Sequence, residues 1–108
     1  MIEAFQKINL KFDKGTFVNQ RSLEFAISAA QKSKNWQEQL AFIARAIIND
    51  HVFADGNKRT AAAYMMAVFE SRKLPCDEYK IDKMVLSIAK NKISDIDKIR
   101  RMIQNALH

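Results

Sequence analysis

The sequence predicts an all-α fold: a compact bundle of five to six helices around one central buried helix. Two glycines and one proline in 108 residues leave little material for hairpin turns. Strong helix formers (Ala, Leu, Lys, Gln, Glu and Met) are plentiful. Apolar residues recur at three- and four-residue spacing along most of the chain. A hydrophobic share of 48% over this length supports one core, so a single domain spanning residues 1–108 is expected.

The elements follow in order. A first helix is expected over residues 2–10 with Ile2, Phe5 and Ile8 inward, although INLKF also reads as a short strand. Asp13-Lys14-Gly15-Thr16 is a turn by composition. Asn19 is placed to cap a second helix whose stripe is Leu23, Ala26, Ile27 and Ala30. Residues 32–34 form a polar connector. Asn35 with Glu38 has the spacing of a capping box, and Trp36, Leu40, Ile43 and Ile47 form one face of a third helix. One more turn of that stripe arrives at His51. After the central helix, Lys73-Leu74-Pro75 stops the chain, because proline cannot continue a helix. Asp82 is read as the cap of a helix carrying Met84, Val85 and Ile88. Ser94 is read as the cap of a last helix with Ile96, Ile99, Ile103 and Leu107 inward.

Residues 51–69, HVFADGNKRTAAAYMMAVF, organise the rest. The first half is a polar loop and the second an apolar helix; from Ala61 to Phe69 it is apolar on every side, which predicts burial in the middle of the bundle. A loop leading into a helix start is the layout of an anion site, because the first backbone N–H groups are unpaired and the dipole favours negative charge. Asn57 is a good N-cap, and Gly56 lets the backbone approach a ligand. Lys58 and Arg59 oppose the dipole unless an anion is present, which favours a ligand over a plain solvated helix start. A lone histidine is more often a core residue than a catalyst. His51 is followed at once by Asp55, Asn57, Lys58 and Arg59, and that shifts the reading towards chemistry.

HVFADGNKR resembles the signature loop of the Fic/Doc family, His-x-Phe-x-(Asp/Glu)-(Gly/Ala)-Asn-(Gly/Lys)-Arg. Lys58 between Asn57 and Arg59, followed by Thr60 and Ala61, is similar to the Doc (death-on-curing) branch. A fainter likeness covers the helical pattern from about Asn19 onward. The resemblance implies that His51 is the general base that activates a hydroxyl on a target protein. An imidazole with an ordinary pKa of about 6.5 suits that task. It also implies Asp55 as the carboxylate for Mg²⁺, a hard cation that takes one or two carboxylates beside substrate phosphates. Asp-Gly is otherwise a common turn pair. Gly56 and Asn57 then shape the anion hole, Lys58 is a mobile charge, and Arg59 grips a phosphate bidentately. Phe53 is read as an apolar anchor of the loop.

The reaction so implied uses ATP or another nucleoside triphosphate. Family members with glycine at the Lys58 position transfer AMP. In the Doc branch lysine goes with an inverted nucleotide whose γ-phosphate meets the nucleophile, so phosphorylation of a Ser/Thr hydroxyl is the first reading and AMP transfer the alternative. AMP-transferring members often have a second arginine where this chain has Ala62. A translation elongation factor is the implied target. No Ser or Thr has Glu four residues later, the pattern of members inhibited in cis, so a separate antitoxin is expected. The segment ahead of the third helix can form a target-docking flap in the family; here it is short.

Two readings of another class stay open: a catalytically silent nucleotide- or partner-binding module, and a small basic nucleic-acid-binding bundle. Intact His51 and Asp55 argue against the first. Against the second, the net charge of +6 is spread over lysines without interleaved aromatics or a recognition-helix motif. The lone Cys76 cannot form an internal disulfide, and no apolar run reaches the ~18 residues of a membrane span. A cytoplasmic protein is expected.

Overall fold

Six α-helices carry most of the chain in the computed structural model, which describes residues 1–107. They are α1 (Ile2–Asn9), α2 (Gln20–Gln31), α3 (Trp36–Asn49), α4 (Asn57–Ser71), α5 (Glu78–Asn91) and α6 (Ile96–Ala106). No strand forms among the described residues; the strand reading of INLKF gives way to a helix end followed by turns. The one β feature among those residues is an isolated antiparallel bridge between Phe17 and Phe53.

The all-α bundle follows the composition, but the most enclosed helix is α3. Leu40, Ala41, Ile43, Ala44, Ala46, Ile47 and Ile48 are all buried, and α3 packs against α2, α4, α5 and α6. By contrast α4 packs against α1, α3 and α5 and buries Thr60, Ala61, Ala62, Met65 and Phe69. Ala67 is exposed, so this helix is not buried on every side. Alanine explains the difference: it contributes to an apolar run yet has so little area that water at one face costs little. The buried Ala61 and Ala62 let α4 lie close to its neighbours. Phe5 of α1 meets Tyr64 with ring centroids 4.7 Å apart, and Trp36 meets Phe69 edge-on at 6.0 Å with Arg72 over its face.

Several boundaries move for identifiable reasons. Asn35 caps α3 by accepting from the Gln37 and Glu38 N–H groups. Asn19 stands at the start of α2 but makes no cap bond; its amide donates instead to the Asp50 carbonyl at the end of α3, 3.0 Å away. The cap of α5 is Asp77, which accepts from Tyr79 and Lys80, so Asp82 lies inside the helix and exposed. Asp95, not Ser94, caps α6. Helix α4 stops at Ser71, ahead of Pro75; Lys73 then takes φ 56°, and the Leu74 N–H reaches back to the Phe69 carbonyl at 3.0 Å. In α1 the buried positions are Phe5 and Asn9, whereas Ile2 and Ile8 are half-buried.

Asp77→Ala should destabilise the fold by about 1 kcal/mol through loss of the α5 cap. Asp82→Ala, with no cap to lose, should leave the midpoint of urea unfolding nearly unchanged. Comparing the two midpoints checks the assignment.

Candidate functional site

The signature loop lies between α3 and α4 and is fastened through its backbone. Helix α3 ends at Asp50, and His51 takes a left-handed conformation with φ 49°. The chain therefore leaves the helix before another turn forms, and His51 does not continue the inward row of α3. It is exposed. Val52 and Phe53 are fully buried. The Val52 carbonyl accepts from the Val18 and Asn19 N–H groups at 2.9 and 3.0 Å. The Ala54 N–H donates to the Thr16 carbonyl at 2.9 Å, and the Phe53 ring stacks on Phe17 with centroids 4.8 Å apart. Thus residues 16–19 run beside the loop and fix its course.

Asn57 does not cap α4 with its side chain. It is the first helical residue, and the cap position is Gly56 with φ 74° and no side-chain bond. Both ends of the Asn57 amide close on Phe53: Oδ1 accepts from its N–H, and Nδ2 donates to its carbonyl, each at 2.9 Å. The side chain is a clamp, with one Nδ2 hydrogen committed to Phe53 and the second not used in it. Its backbone N–H remains at the open helix end. Opposite, the carbonyl of Asp55 accepts from Nδ2 of the buried Asn9 at 2.9 Å. Gly56 permits the left-handed turn, and a side chain there would press on that same Nδ2 at 3.2 Å.

This scaffold sorts the motif into two sets. Val52, Phe53 and Thr60 point inward, while His51, Asp55, Lys58 and Arg59 are exposed. The exposed four, with Gly56 and Asn57, line one cavity of about 830 Å³. Neither Lys58 nor Arg59 has an ion pair among the described residues. The α4 start carries no acidic residue in its first turn and no capping side chain, so its first N–H groups are open to a ligand. One Asp55 oxygen accepts from the Gly56 N–H at 2.8 Å, leaving the other available to a cation. No group of three or more His, Cys, Asp or Glu among the described residues could cage a metal. A cation here would be held by Asp55 and by the ligand's own oxygens, which is how Mg²⁺ commonly meets a nucleotide.

The far wall was not read from the sequence. Ala89, Lys92 and Ser94, from the end of α5 and the connector to α6, also line the cavity. Lys92 is held there by its left-handed backbone, φ 47°, and by α3 below: Asn49 donates to the Ile93 carbonyl at 2.8 Å and Arg45 to the Ser94 carbonyl at 3.0 Å. The charged side chains of the lining are Lys58, Arg59 and Lys92 against Asp55 alone. That balance suits a polyanion accompanied by a metal. The connector at residues 32–34 lies elsewhere; Lys32 and Ser33 border a second hollow with Phe25 and Phe42.

A family model for the Fic/DOC family matches residues 4–69, well over half of the chain. The chain belongs to the Fic/DOC family. Members of this family generally transfer nucleotide moieties to proteins. The match begins in α1 and ends in α4, so the Lys92 wall lies beyond it. Among curated proteins, nothing matches the chain. Among solved structures, nothing matches it either.

The clamp gives a test of how this Fic/DOC loop is held. Asn57→Ala removes two hydrogen bonds to Phe53 and should cost about 2 kcal/mol, at roughly 1 kcal/mol per bond. The Phe53 amide should exchange faster with solvent than the amides of α6. An unchanged Phe53 exchange rate would show that the loop is held without the clamp.

Proposed function

We propose that this protein transfers the γ-phosphoryl group of ATP, or another nucleoside triphosphate, to a Ser/Thr hydroxyl of a target protein. The observation that carries the reading is the convergence on one cavity of a histidine, one carboxylate and three cations, two of them at an uncapped helix start and Lys92 on the opposite wall. The triphosphate lies along the first turn of α4, its oxygens meeting the open N–H groups, Lys58 and Arg59. Lys92 closes the charge from the opposite wall. His51 takes the proton of the target hydroxyl as its oxygen attacks the γ-phosphorus. The bond from that phosphorus to the bridging oxygen breaks, and the nucleoside diphosphate departs. Asp55 would hold Mg²⁺, which when bound neutralises charge on the phosphate oxygens. Such transfer needs little beyond position and charge neutralisation.

Lys58 supports γ-phosphoryl over AMP transfer. A long cationic side chain stands at the start of α4 where glycine would leave room, and Ala62 offers no second arginine to grip a triphosphate in the other direction. The partners proposed are a protein substrate and a separate antitoxin, in the cytoplasm. No helix of the described residues is long and apolar enough to cross a membrane.

Incubation with a lysate and either γ- or α-labelled ATP tests the reading. Protein label from the γ position alone is expected. His51→Ala should lower that labelling by about 10²–10⁴-fold, the usual worth of a general base, while nucleotide binding is retained. Label from the α position would overturn phosphorylation in favour of AMP transfer. Nucleotide binding with no transfer from either position would favour a silent module.

A further inference from the structure

We infer that Asn9, in α1 and 46 residues before Asp55 in sequence, is a positioning residue for the cation-binding side of the site. Asn9 and Thr60 are the buried polar residues of the described chain, each fully enclosed, and they bond to each other: Nδ2 of Asn9 donates to Oγ1 of Thr60 at 3.0 Å. The same nitrogen donates to the Asp55 carbonyl at 2.9 Å, and Oδ1 accepts from the Gly15 N–H at 2.8 Å. Thr60 passes its proton on to the Gly56 carbonyl at 2.8 Å. One amide thus holds the carbonyls on either side of the Asp55–Gly56 bond, directly at Asp55 and through Thr60 at Gly56. That fixes the peptide plane and the direction in which the Asp55 side chain leaves the backbone. An apolar residue in its place would fill the space but leave buried partners unsatisfied, so packing alone does not account for an asparagine here.

Asn9 is not part of the lining of the site cavity; it acts through Asp55. Outer partners of this kind tune metal affinity by orienting the group that ligates. The inference rests on reading Asp55 as the carboxylate that holds Mg²⁺.

The test compares wild type with Asn9→Asp, which keeps the size but turns the donor into an acceptor facing the Asp55 carbonyl. Asn9→Ser serves if the buried carboxylate unfolds the chain. Ile103→Val, a core change in α6 outside the cavity lining, is the control for general loosening. Binding of a non-hydrolysable ATP analogue is followed against Mg²⁺ concentration, together with hydrogen exchange at the Thr60 amide. The Asn9 variant should raise the half-saturating Mg²⁺ concentration by about 10–100-fold, leave binding of the metal-free analogue as in wild type, and speed Thr60 exchange beyond the control. A Mg²⁺ response like that of the control, in a wild type that does respond, overturns the positioning role. If wild type shows no Mg²⁺ response, the Asp55 reading fails and exchange decides. Faster Thr60 exchange than in Ile103→Val then upholds Asn9 as the residue that sets this peptide, and equal exchange overturns it.

Discussion

Seven consecutive residues, 50–56, cross from one packed helix to the next outside either helix, and their peptide groups still need partners. Everything at the site depends on how that need is met. Residues 16–19 satisfy Val52 and Ala54, Asn57 satisfies Phe53, and Asn9 satisfies the Asp55 carbonyl. Because most of the bonds come from elsewhere in the chain, the side chains of His51, Lys58 and Arg59 carry no structural bond among the described residues, and Asp55 commits only one oxygen, to the Gly56 N–H. A loop of polar residues thereby becomes rigid while keeping its chemistry exposed. The buried Val52 and Phe53 add the apolar anchorage.

The charges then make sense as a cost accepted at the site. Two cations in the first turn of α4 oppose the helix dipole, and no acidic residue or capping side chain compensates them. Helix α2 also lacks a cap bond and a first-turn acid, whereas α3, α5 and α6 are capped by Asn35, Asp77 and Asp95 and carry acidic residues in their first turns. The left-handed backbone at His51 and Lys92 is a similar local expense, and both residues face the same cavity.

Much of this was legible in the sequence where one local pattern decides the outcome. The α3 stripe and its Asn35 cap, the Ile99–Ile103 face of α6 and the signature loop are of that kind. The start of α5 was not, because Asp77 and Asp82 are equally good caps by type and the polar Glu78-Tyr79-Lys80 turn hides the earlier one. Reading Asn57 as a cap followed from its position; which of its possible partners it chooses depends on where Phe53 lies. The turn at His51 breaks a helical pattern that could have run on. Asn9 and Lys92 lay furthest out of reach. The bonds of Asn9 span 46 and 51 residues, and Lys92 enters the cavity only because α3 holds the connector beside it.

The central claim is that a nucleotide's phosphates bind at the first turn of α4 with Asp55 holding the metal. Backbone amide NMR shifts during titration with Mg²⁺ and a non-hydrolysable ATP analogue test it most directly. The account predicts that the amides of Gly56, Asn57, Lys58 and Arg59 move most, and that they move less when Mg²⁺ is left out. Saturable shifts confined to another surface, such as the hollow between Phe25 and Phe42, with the α4 start unmoved, would contradict it.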